Sequence, residues 1–477
     1  MSATIQKRVK DLIQNNTERS TNAQDWYNRY TTDELPINER KTPNYINTSE
    51  SNIEEDQRLV NAYDSEIVDN RVNYVMANTP IFQYNDENET EKDFHQELLN
   101  NWIKEDGFIA KLKDLTEIAG ATGSSSLALH VGEDTDGKTM ISTKVLKPSE
   151  FVLEWSDSKA EVTGALRYWS KKELNSSPDE AETTNSSTTS TTTVYYGEFY
   201  DGKVMYNLKG DALLNMAVLN EVEDPIYNIP IIELKNTGER KPSFYKAISL
   251  INAYNGLVSD YTNEMAGLRH AILALTGHVL KAENDDEDDT QAAKRLKEIR
   301  MLFMEEHGKA EYITKEIQYQ ATEFILKQLE KNIERFTGHL NYADPDVYGR
   351  ATNLAIKTRI KPLENKAKAL IMELDETLDN LFKALGDYWS VQGVTSSFDW
   401  KKVEVIFTLD MPINDVEEAD KLIKLSTIIS EETNLSQASF IRDPKAEIEK
   451  LEKQRENESV DDDFNTIEEP KLEDTEK

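Results

Sequence analysis

Three long stretches with apolar residues at helical spacing occupy the second half of the chain, at residues 244–272, 314–336 and 351–389. The first would form a helix about 40 Å long at about 1.5 Å per residue. Helices of this length with one apolar face need partners to bury it. Pro362 lies inside the third stretch, where it should kink the helix or mark its true start. This helical order, with a short mixed segment at residues 277–312 between the first two stretches, constrains the fold most strongly.

The first part of the chain changes from helical to strand-like periodicity. Residues 1–35, 54–80 and 92–118 have helical patterns, and the second pattern stops at Pro80 because the residue before a proline avoids the helical conformation. A Ser/Thr-rich stretch at residues 175–193 predicts a mobile loop inside a sheet, since it has little apolar surface to bury. Alternating segments predict strands near residues 126–131, 140–146, 151–155, 165–169, 193–199 and 204–208. The chain is therefore predicted to be α+β.

Composition limits the possible functions. The chain has 89 acidic and 55 basic residues, a net charge of -34 and no cysteine. It has no apolar stretch of the ~20 residues needed to span a bilayer, and residues 1–17 lack the apolar core of a signal peptide. These features predict a protein of a cytoplasm-like compartment without disulfides. The acidic charge fits two interpretations: self-repulsion that keeps a protein soluble, or a surface that lets nucleic acid pass without holding it.

The sequence contains few signs of catalytic chemistry. It has no Gly-x-x-x-x-Gly-Lys-Ser/Thr phosphate loop, and its six histidines form no His-Glu-x-x-His pattern. Residues 120–126, Gly-Ala-Thr-Gly-Ser-Ser-Ser, could cradle a phosphate, but their position between a helix and a strand favours a tight turn of small residues. An enzyme with a metal ion held by carboxylates is a rival hypothesis that no spacing supports. We therefore expect no enzymatic activity and no cofactor or metal.

Two local charge features suggest contact with DNA or with another subunit. Residues 350–368 contain six basic side chains and one acidic side chain, against the trend of the chain. These cations are interpreted either as groups near DNA or near a neighbouring subunit's acids, or as an ordinary solvated helix face. The helix predicted at 244–272 is interpreted either as a core helix that is simply buried, or as a ring element with one face toward a channel, where its polar face would offer few anchors to phosphate. The residues of this face are Asn252, Asn255, Ser259, Asp260, Asn263 and Glu264.

Several segments, taken in order, carry a family resemblance. The most specific is Asn-Ile-Pro-Ile-Ile-Glu-Leu-Lys-Asn at 228–236, followed by Ala-Ile-Ser-Leu-Ile-Asn-Ala-Tyr-Asn at 247–255. Others are Ile67-Val68-Asp69 with Tyr74 and Thr79-Pro80-Ile81, and residues 120–131, 146–151, 351–357, 411–414, 430–433 and 443–444. Over about residues 44–454 the chain resembles the portal proteins of tailed bacteriophages with long non-contractile tails. The insert at 175–193 and the missing second glycine near Arg350 depart from the family pattern.

The resemblance implies a mostly helical α+β portal fold with a wing of mixed α/β structure, a stem of two long helices, a small α/β clip and a helical crown. The implied parts are the N-terminal wing at residues 1–240, stem helices at 241–276 and 313–337, the clip at 277–312, the tunnel loop at 338–350, a second part of the wing with a long helix and a strand at 351–410, the crown at 411–455, and a disordered acidic tail at 456–477.

The resemblance also implies a function. The chain would be the subunit of a closed ring, usually of about twelve copies, that forms a channel for double-stranded DNA at one capsid vertex. The large terminase would supply the ATP chemistry, and the other partners would be the major capsid and scaffolding proteins and the head-tail connector, with no membrane. The protein would reside in the virion, and in the host cytoplasm during assembly. A structural head or tail component that never meets DNA is the rival hypothesis.

The same resemblance assigns residues to two sites. Those of the DNA channel and tunnel loop are His339, Asn341, Tyr342, Asp344, Asp346, Arg350, Asn353 and Lys357. Those on the clip face toward the terminase and the connector are Lys281, Lys294, Arg295, Lys297, Arg300, His307 and Lys309.

Overall fold

Helices and antiparallel sheets alternate along the chain, which confirms the predicted α+β class. A computed structural model describes residues 2–41, 56–133, 139–158, 161–174, 191–223, 228–267, 272–276, 309–313, 319–341, 353–409, 415–438, 441, 444–448 and 450–453. The chain divides into two units that are each discontinuous in sequence. The first comprises residues 1–27, 66–245 and 337–477, and the second comprises residues 28–65 and 246–336.

The elements are numbered in chain order within the described residues. The helices are α1 (Ser2–Tyr30), α2 (Pro36–Glu39), α3 (Tyr63–Met76), α4 (Glu89–Asp106), α5 (Phe108–Thr122), α6 (Ile248–Gly267), α7 (Tyr319–Thr337), α8 (Asn353–Val391), α9 (Asp415–Leu425) and α10 (Glu431–Leu435). The strands are β1 (Ile81–Tyr84), β2 (Ser124–Glu133), β3 (Thr139–Leu146), β4 (Phe151–Trp155), β5 (Val162–Leu174), β6 (Thr191–Tyr200), β7 (Val204–Gly210), β8 (Ala217–Glu223), β9 (Ile231–Lys235), β10 (Ile272–Thr276), β11 (Lys309–Ile313) and β12 (Val403–Ile406).

Helices α4 and α5 replace the single helix predicted over residues 92–118. Gly107 separates them with a φ of +64°, a left-handed conformation that glycine adopts without a steric penalty. Its N–H donates to the carbonyls of Ile103 and Lys104 and so closes α4. The apolar repeat continues on both sides of Gly107, so the break does not show in the periodicity.

Two antiparallel sheets and helix α1 build one side of the first unit. The strand orders are β3-β2-β9 and β4-β5-β6-β7-β8. Helix α1 lies on the larger sheet, where Ile5, Val9 and Ile13 join a buried cluster with Leu166 and Phe199. These three α1 residues are four apart, so a helix that is polar in composition still has one apolar face.

Helix α8 supplies the longest apolar face of the first unit. Six of its leucines are 2% exposed or less and belong to one buried cluster with residues of α3, α4, α5 and the smaller sheet. The helix continues from Asn353 to Val391 through Pro362, so this proline does not mark its start. The six buried leucines are Leu363, Leu370, Leu374, Leu378, Leu381 and Leu385.

The second unit contains α6, α7 and a two-stranded pair between them. The helix predicted over 244–272 ends at Gly267, and β10 pairs with β11 from Ile272–Ile313 to Thr276–Lys309. The end of the first predicted stem segment is therefore a strand. Its partner β11 covers the last residues of the predicted clip and Ile313, the first residue of the second predicted stem segment. The interior of the predicted clip, residues 277–308, lies outside the described residues, as do the 175–190 part of the predicted wing loop and the tail from residue 454.

A membrane anchor would require a long apolar helix. Across the described parts of the chain, no helix combines the length and the low charge needed to cross a bilayer.

Candidate functional site

The residues predicted for the DNA channel fall at the junction between α7 and α8. His339 and Asn341 follow the end of α7, with His339 buried and Asn341 exposed, and Lys357 lies exposed on the second turn of α8. Asn353 is the first residue of α8, and Lys309 of the predicted clip surface is the first residue of β11. The others lie outside the described residues: Tyr342, Asp344, Asp346, Arg350, Lys281, Lys294, Arg295, Lys297, Arg300 and His307.

The chain leaves α7 through a sharply defined turn. Gly338 follows Thr337 with a φ of +70°, and a Cβ at this position would lie 3.2 Å from both the Pro362 carbonyl and the Lys366 side chain of α8. Glycine is therefore suited here both by conformation and by close packing. The Thr337 hydroxyl accepts the His339 N–H at 3.2 Å, which fixes the first residues after the helix.

His339 is held by two residues of α3. The side-chain amide nitrogen of Asn70 lies 2.8 Å from His339 Nδ1 and also donates to the Leu340 carbonyl at 3.3 Å. Because the Leu340 contact requires an N–H donor on that side of the amide, His339 Nδ1 must accept, and the ring proton belongs on Nε2. His339 Nε2 lies 3.4 Å from the Glu66 carboxylate. The hydrogen bond from His339 lowers the pKa of Glu66 below its usual value.

The next residue of α3, Arg71, is a buried cation among neutral partners. It is 7% exposed and donates to the Asn236 side-chain oxygen at 2.9 Å, to the Ser243 hydroxyl at 3.2 Å and to the Lys366 carbonyl at 3.1 Å. Burial without a carboxylate partner lowers the pKa of Arg71 to about 10. Arg71 thus links three segments of the first unit: α3, the turn after β9 and the body of α8.

The local excess of basic residues at 350–368 is partly neutralised within α8. Lys361 and Lys368 both pair with Glu364, at 3.0 Å and 2.6 Å. These two lysines lower the pKa of Glu364, first through the hydrogen bond from Lys368. Lys357 is exposed and lies one turn before this group. Because its side chain is exposed, Lys357 is accessible to a binding partner.

The polar face of α6 is partly covered by the chain itself, which favours a buried core helix over a channel lining for three of its six residues, while Asp260 stays exposed. Asn255, Ser259 and Asn263 are each 7% exposed or less. Their side-chain oxygens accept backbone N–H groups from Asn61 at 3.0 Å, Leu59 at 2.9 Å and Gln57 at 2.8 Å, respectively. An extended segment of the chain, residues 56–62, therefore covers this face, and we call it the strap.

The match between strap and helix has a geometric basis. Four residues along a helix advance about 6 Å, and two residues along an extended chain advance about 6.6 Å. Side chains at every fourth position of α6 can therefore meet every second N–H of the strap. The predicted face has the right residues, but it binds the chain's own backbone.

Ion pairs fix the ends of the strap. Arg40 donates to Asp56 at 2.9 Å and to Asp260 of α6 at 2.7 Å, and Arg58 donates to Asp56 at 3.0 Å. Burial alone would raise the pKa of Asp56, but the hydrogen bonds from Arg40 and Arg58 outweigh it and lower the pKa. Just past the strap, Asp64 pairs with Arg29 at 2.9 Å. There burial dominates and raises the pKa of Asp64 to about 6.

The second unit also carries an exposed apolar surface. On α7, Phe324 is 64% exposed, Ile325 45% and Phe336 44%. A groove of about 240 Å³ runs beside it, lined by Tyr254, Tyr261 and Tyr319 among others. Large apolar side chains with this exposure are typical of protein contact surfaces.

The turn at residues 120–126 is filled by the protein itself. Gly123 has a φ of +91°, and a Cβ there would lie 2.2 Å from the Arg240 carbonyl oxygen. Ser124, Ser125 and Ser126 are buried. The tight turn is thus confirmed, and its backbone is not arranged around a phosphate. In the parts of the chain that the structure describes, no cluster of three or more His, Asp or Glu residues could hold a metal ion.

Sequence reasoning missed the residues that hold this junction. Glu66, Asn70 and Arg71 lie on a helix whose sequence suggested only a core element, and Asn70 is 269 residues from its partner His339. The available signal was an arginine that follows an asparagine within an apolar repeat. Periodicity alone does not predict which residues such a pair contacts.

Comparison with known proteins gives one consistent result. The family model described as "Phage portal protein, SPP1 Gp6-like" matches residues 9–461. The chain is 24% identical over 428 residues to the portal protein of Clostridium phage phiCD119, covering 86% of this chain and 88% of that protein. It is 21% identical over 317 residues to the portal protein of Bacillus phage SPP1, covering 65% of this chain and 61% of that protein.

Proposed function

The chain belongs to the SPP1 Gp6-like family of phage portal proteins, and we propose that it is the subunit of a ring-shaped channel at one capsid vertex. Double-stranded DNA would pass through this channel during packaging, be retained afterwards and leave by it at ejection. The family is one of structural virion components. The observation that carries the proposal is the family match over residues 9–461, which includes both units of the chain.

We assign the parts of the portal to the chain as follows. The wing comprises residues 1–240 and 351–410, the stem 241–276 and 313–337, the clip 277–312, the tunnel loop 338–350, the crown 411–455 and the acidic tail 456–477. Residues 246–336 lie together in the second unit, along with residues 28–65 of the assigned wing, and this grouping of 246–336 supports the stem and clip assignment. The pairing of β10 with β11 supports a base at which the clip joins the stem.

Ring assembly accounts for the exposed apolar surface of the second unit. Phe324 and Ile325 of α7 would be covered by a second copy of the chain, whose own α7 would be covered in turn. A contact between two different surfaces of the same chain repeats around an axis and closes into a ring. Twelve copies would be consistent with the family's usual size.

The charge of the chain suits a channel that does not hold DNA. Twelve copies would carry a total charge of about -400, so acidic walls would repel phosphate and let the duplex slide. A few cations at the tunnel loop would then have a large effect. We propose Arg350 and Lys357 for this role, within the channel set of His339, Asn341, Tyr342, Asp344, Asp346 and Asn353.

The partners follow from the same assignment. Large terminase and, later, the head-tail connector would dock on the clip through Lys281, Lys294, Arg295, Lys297, Arg300, His307 and Lys309. The major capsid and scaffolding proteins would contact the outer parts of the ring at the portal vertex, after assembly in the host cytoplasm. The subunit itself would need no cofactor and would carry out no catalysis, because ATP hydrolysis belongs to the terminase.

A packaging assay tests the proposal. Capsids assembled with this protein should fill with DNA when terminase and ATP are supplied, and capsids assembled without it should stay empty. Equal filling with and without the protein would favour the rival hypothesis of a head or tail component that never meets DNA.

A further inference from the structure

One helix holds both sides of the junction between α7 and α8. From α3, Asn70 reaches His339 and Leu340 just after α7, and Arg71 reaches the Lys366 carbonyl inside α8. Gly338, between α7 and His339, adds a direct contact to α8 by packing against the Pro362 carbonyl and the Lys366 side chain. The residues that follow α7, the body of α8 and the contacting part of helix α3, all within the first unit, are thus connected by direct contacts.

We propose that Asn70 and Arg71 are positioning residues that lock residues 339–340, just after α7, to the body of α8 through α3. The consequence for DNA retention rests on the proposed function, in which the chain between these helices is the tunnel loop. The lock itself is a property of the described residues alone.

Asn70 is suited to this role because it has two partners at once. Its amide nitrogen serves the ring of His339 and the backbone carbonyl of Leu340, so side chain and main chain are fixed together. Glu66 lies one helical turn earlier on the same face of α3, and its carboxylate is 3.4 Å from His339 Nε2, on the other side of the imidazole. His339 is therefore held in one orientation between two α3 residues.

Arg71 is suited to its role by the shape of the guanidinium. One terminal nitrogen serves Asn236 and Ser243, and the other serves Lys366 of α8. A lysine has a single terminal nitrogen and cannot place donors in both directions. Burying a cation among neutral groups is unfavourable, so the fold retains Arg71 at a cost, and a methionine would fill the space at no such cost. Arg71 is thus better explained by positioning than by packing.

The test is hydrogen exchange on assembled rings. In Asn70→Leu, backbone amides in peptides covering residues 337–341 should exchange about ten-fold faster, since a half-buried hydrogen-bonded anchor is lost. Peptides covering α5 should not change. Arg71→Met should have the corresponding effect on peptides covering residues 353–366, and Arg71→Lys should restore only part of the protection.

Two further variants keep the result interpretable. Asn73→Leu makes the same chemical change at an exposed position of the same helix and should leave exchange at 337–341 unchanged. Asn70→Asp keeps the shape but cannot donate to the Leu340 carbonyl, and it can bond to His339 only if the ring proton moves to Nδ1. It should therefore give an intermediate rate, and it remains usable if Asn70→Leu fails to fold.

Unchanged exchange at residues 337–341 in both Asn70→Leu and Asn70→Asp overturns the lock, whatever the rings do with DNA. An equal increase in Asn73→Leu overturns it as well, because the effect would then belong to α3 in general. If exchange rises as expected, heads filled through Asn70→Leu rings should lose DNA faster than wild-type heads. Normal retention in those heads overturns the role in retention, while a failure of wild-type protein to form rings would overturn only the proposed function.

Discussion

Helix α8 of the first unit and helix α6 of the second are both long and partly buried, yet their buried faces differ in chemistry. Helix α8 buries leucines against other apolar side chains. Helix α6 buries Asn255, Ser259 and Asn263 against backbone N–H groups of the strap. Apolar contacts are non-directional, whereas each hydrogen bond requires its partner in one position. The first unit is therefore held by packing, and the second depends on a register between helix and strap.

Charged substitutions on the exposed apolar surface of α7, in the second unit, should have the largest effect of those considered, the loss of ring assembly. Phe324→Asp with Ile325→Asp places two charges on the apolar surface of α7, and we expect rings to be lost while the monomer stays folded. Sedimentation and circular dichroism measure the two properties. Leu219→Asp, at a residue that is 62% exposed on β8 of the first unit, serves as the control and should leave rings intact. Rings that survive the double change would mean that α7 is not the subunit contact.

The core of the first unit should show the next largest effect. Leu378→Ala on α8 removes a side chain that is 1% exposed, and we expect the free energy of unfolding to fall by ~2–5 kcal/mol. Met372→Ala on the same helix, where the side chain is 74% exposed, should change it by less than ~0.5 kcal/mol. Denaturant titration of both variants decides the point, and similar losses in the two would contradict the assigned faces of α8.

The strap predicts a smaller loss of a different kind. Asn255→Ala leaves the half-buried Asn61 N–H without its acceptor, and we expect a cost of ~1–3 kcal/mol. Hydrogen exchange should rise in residues 56–62 and in α6 but not in α8, because only the second unit loses a contact. Asn380→Ala, an exposed asparagine of α8, is the matched control. Uniformly faster exchange across both units would remove the distinction between them.

Asp64 should make the second unit respond to pH. Its pKa is raised by burial to about 6 in the folded chain, so the folded state binds the proton more tightly than the unfolded state does. Lowering the pH from 7 to 5 should therefore add stability through this group, by ~1 kcal/mol, and the gain is lost again as the pH rises through 6. The difference between wild type and Asp64→Asn, measured by denaturation at both pH values, isolates this contribution. A difference that does not depend on pH would refute it.

The smallest effect on stability belongs to the proposed channel cations. Lys357 is exposed and we propose that Arg350 faces the channel, so Arg350→Ala with Lys357→Ala should change the free energy of unfolding by less than ~0.5 kcal/mol. It should nevertheless impair DNA filling or retention in intact rings, since few cations oppose the acidic wall. Normal filling and normal retention by the double variant would leave both residues as ordinary solubilising charge.

Apolar periodicity predicted the parts of the fold that apolar packing holds. The leucines of α8 and the strands β2 to β7 lie close to their predicted positions. Gly107 divides α4 from α5 without interrupting the apolar repeat of the sequence. Ile272 begins a strand, although the apolar repeat of α6 continues to this residue in the sequence. Strands β1, β8 and β9 were not predicted, since the short β1 and β9 and the largely exposed β8 each depend on a neighbouring strand for support.

The polar contacts could not be predicted from apolar periodicity. The amides of α6 were recognised as one face, but their partner is the strap about 200 residues earlier in the chain, which the helical pattern over 54–80 wrongly placed in a helix. The same holds for Asn70 and Arg71, whose partners near His339 and Lys366 depend on tertiary structure. The predicted tunnel residues located the junction of α7 and α8, and the structure adds the side chains that hold it.

The mass of the assembled protein tests the central claim most directly. Native mass spectrometry of the purified chain of 54.6 kDa should give one closed species near twelve subunits, about 655 kDa in total, and electron micrographs of the same sample should show rings with a central hole. Monomer alone, at every protein concentration and salt concentration tested, would contradict the account.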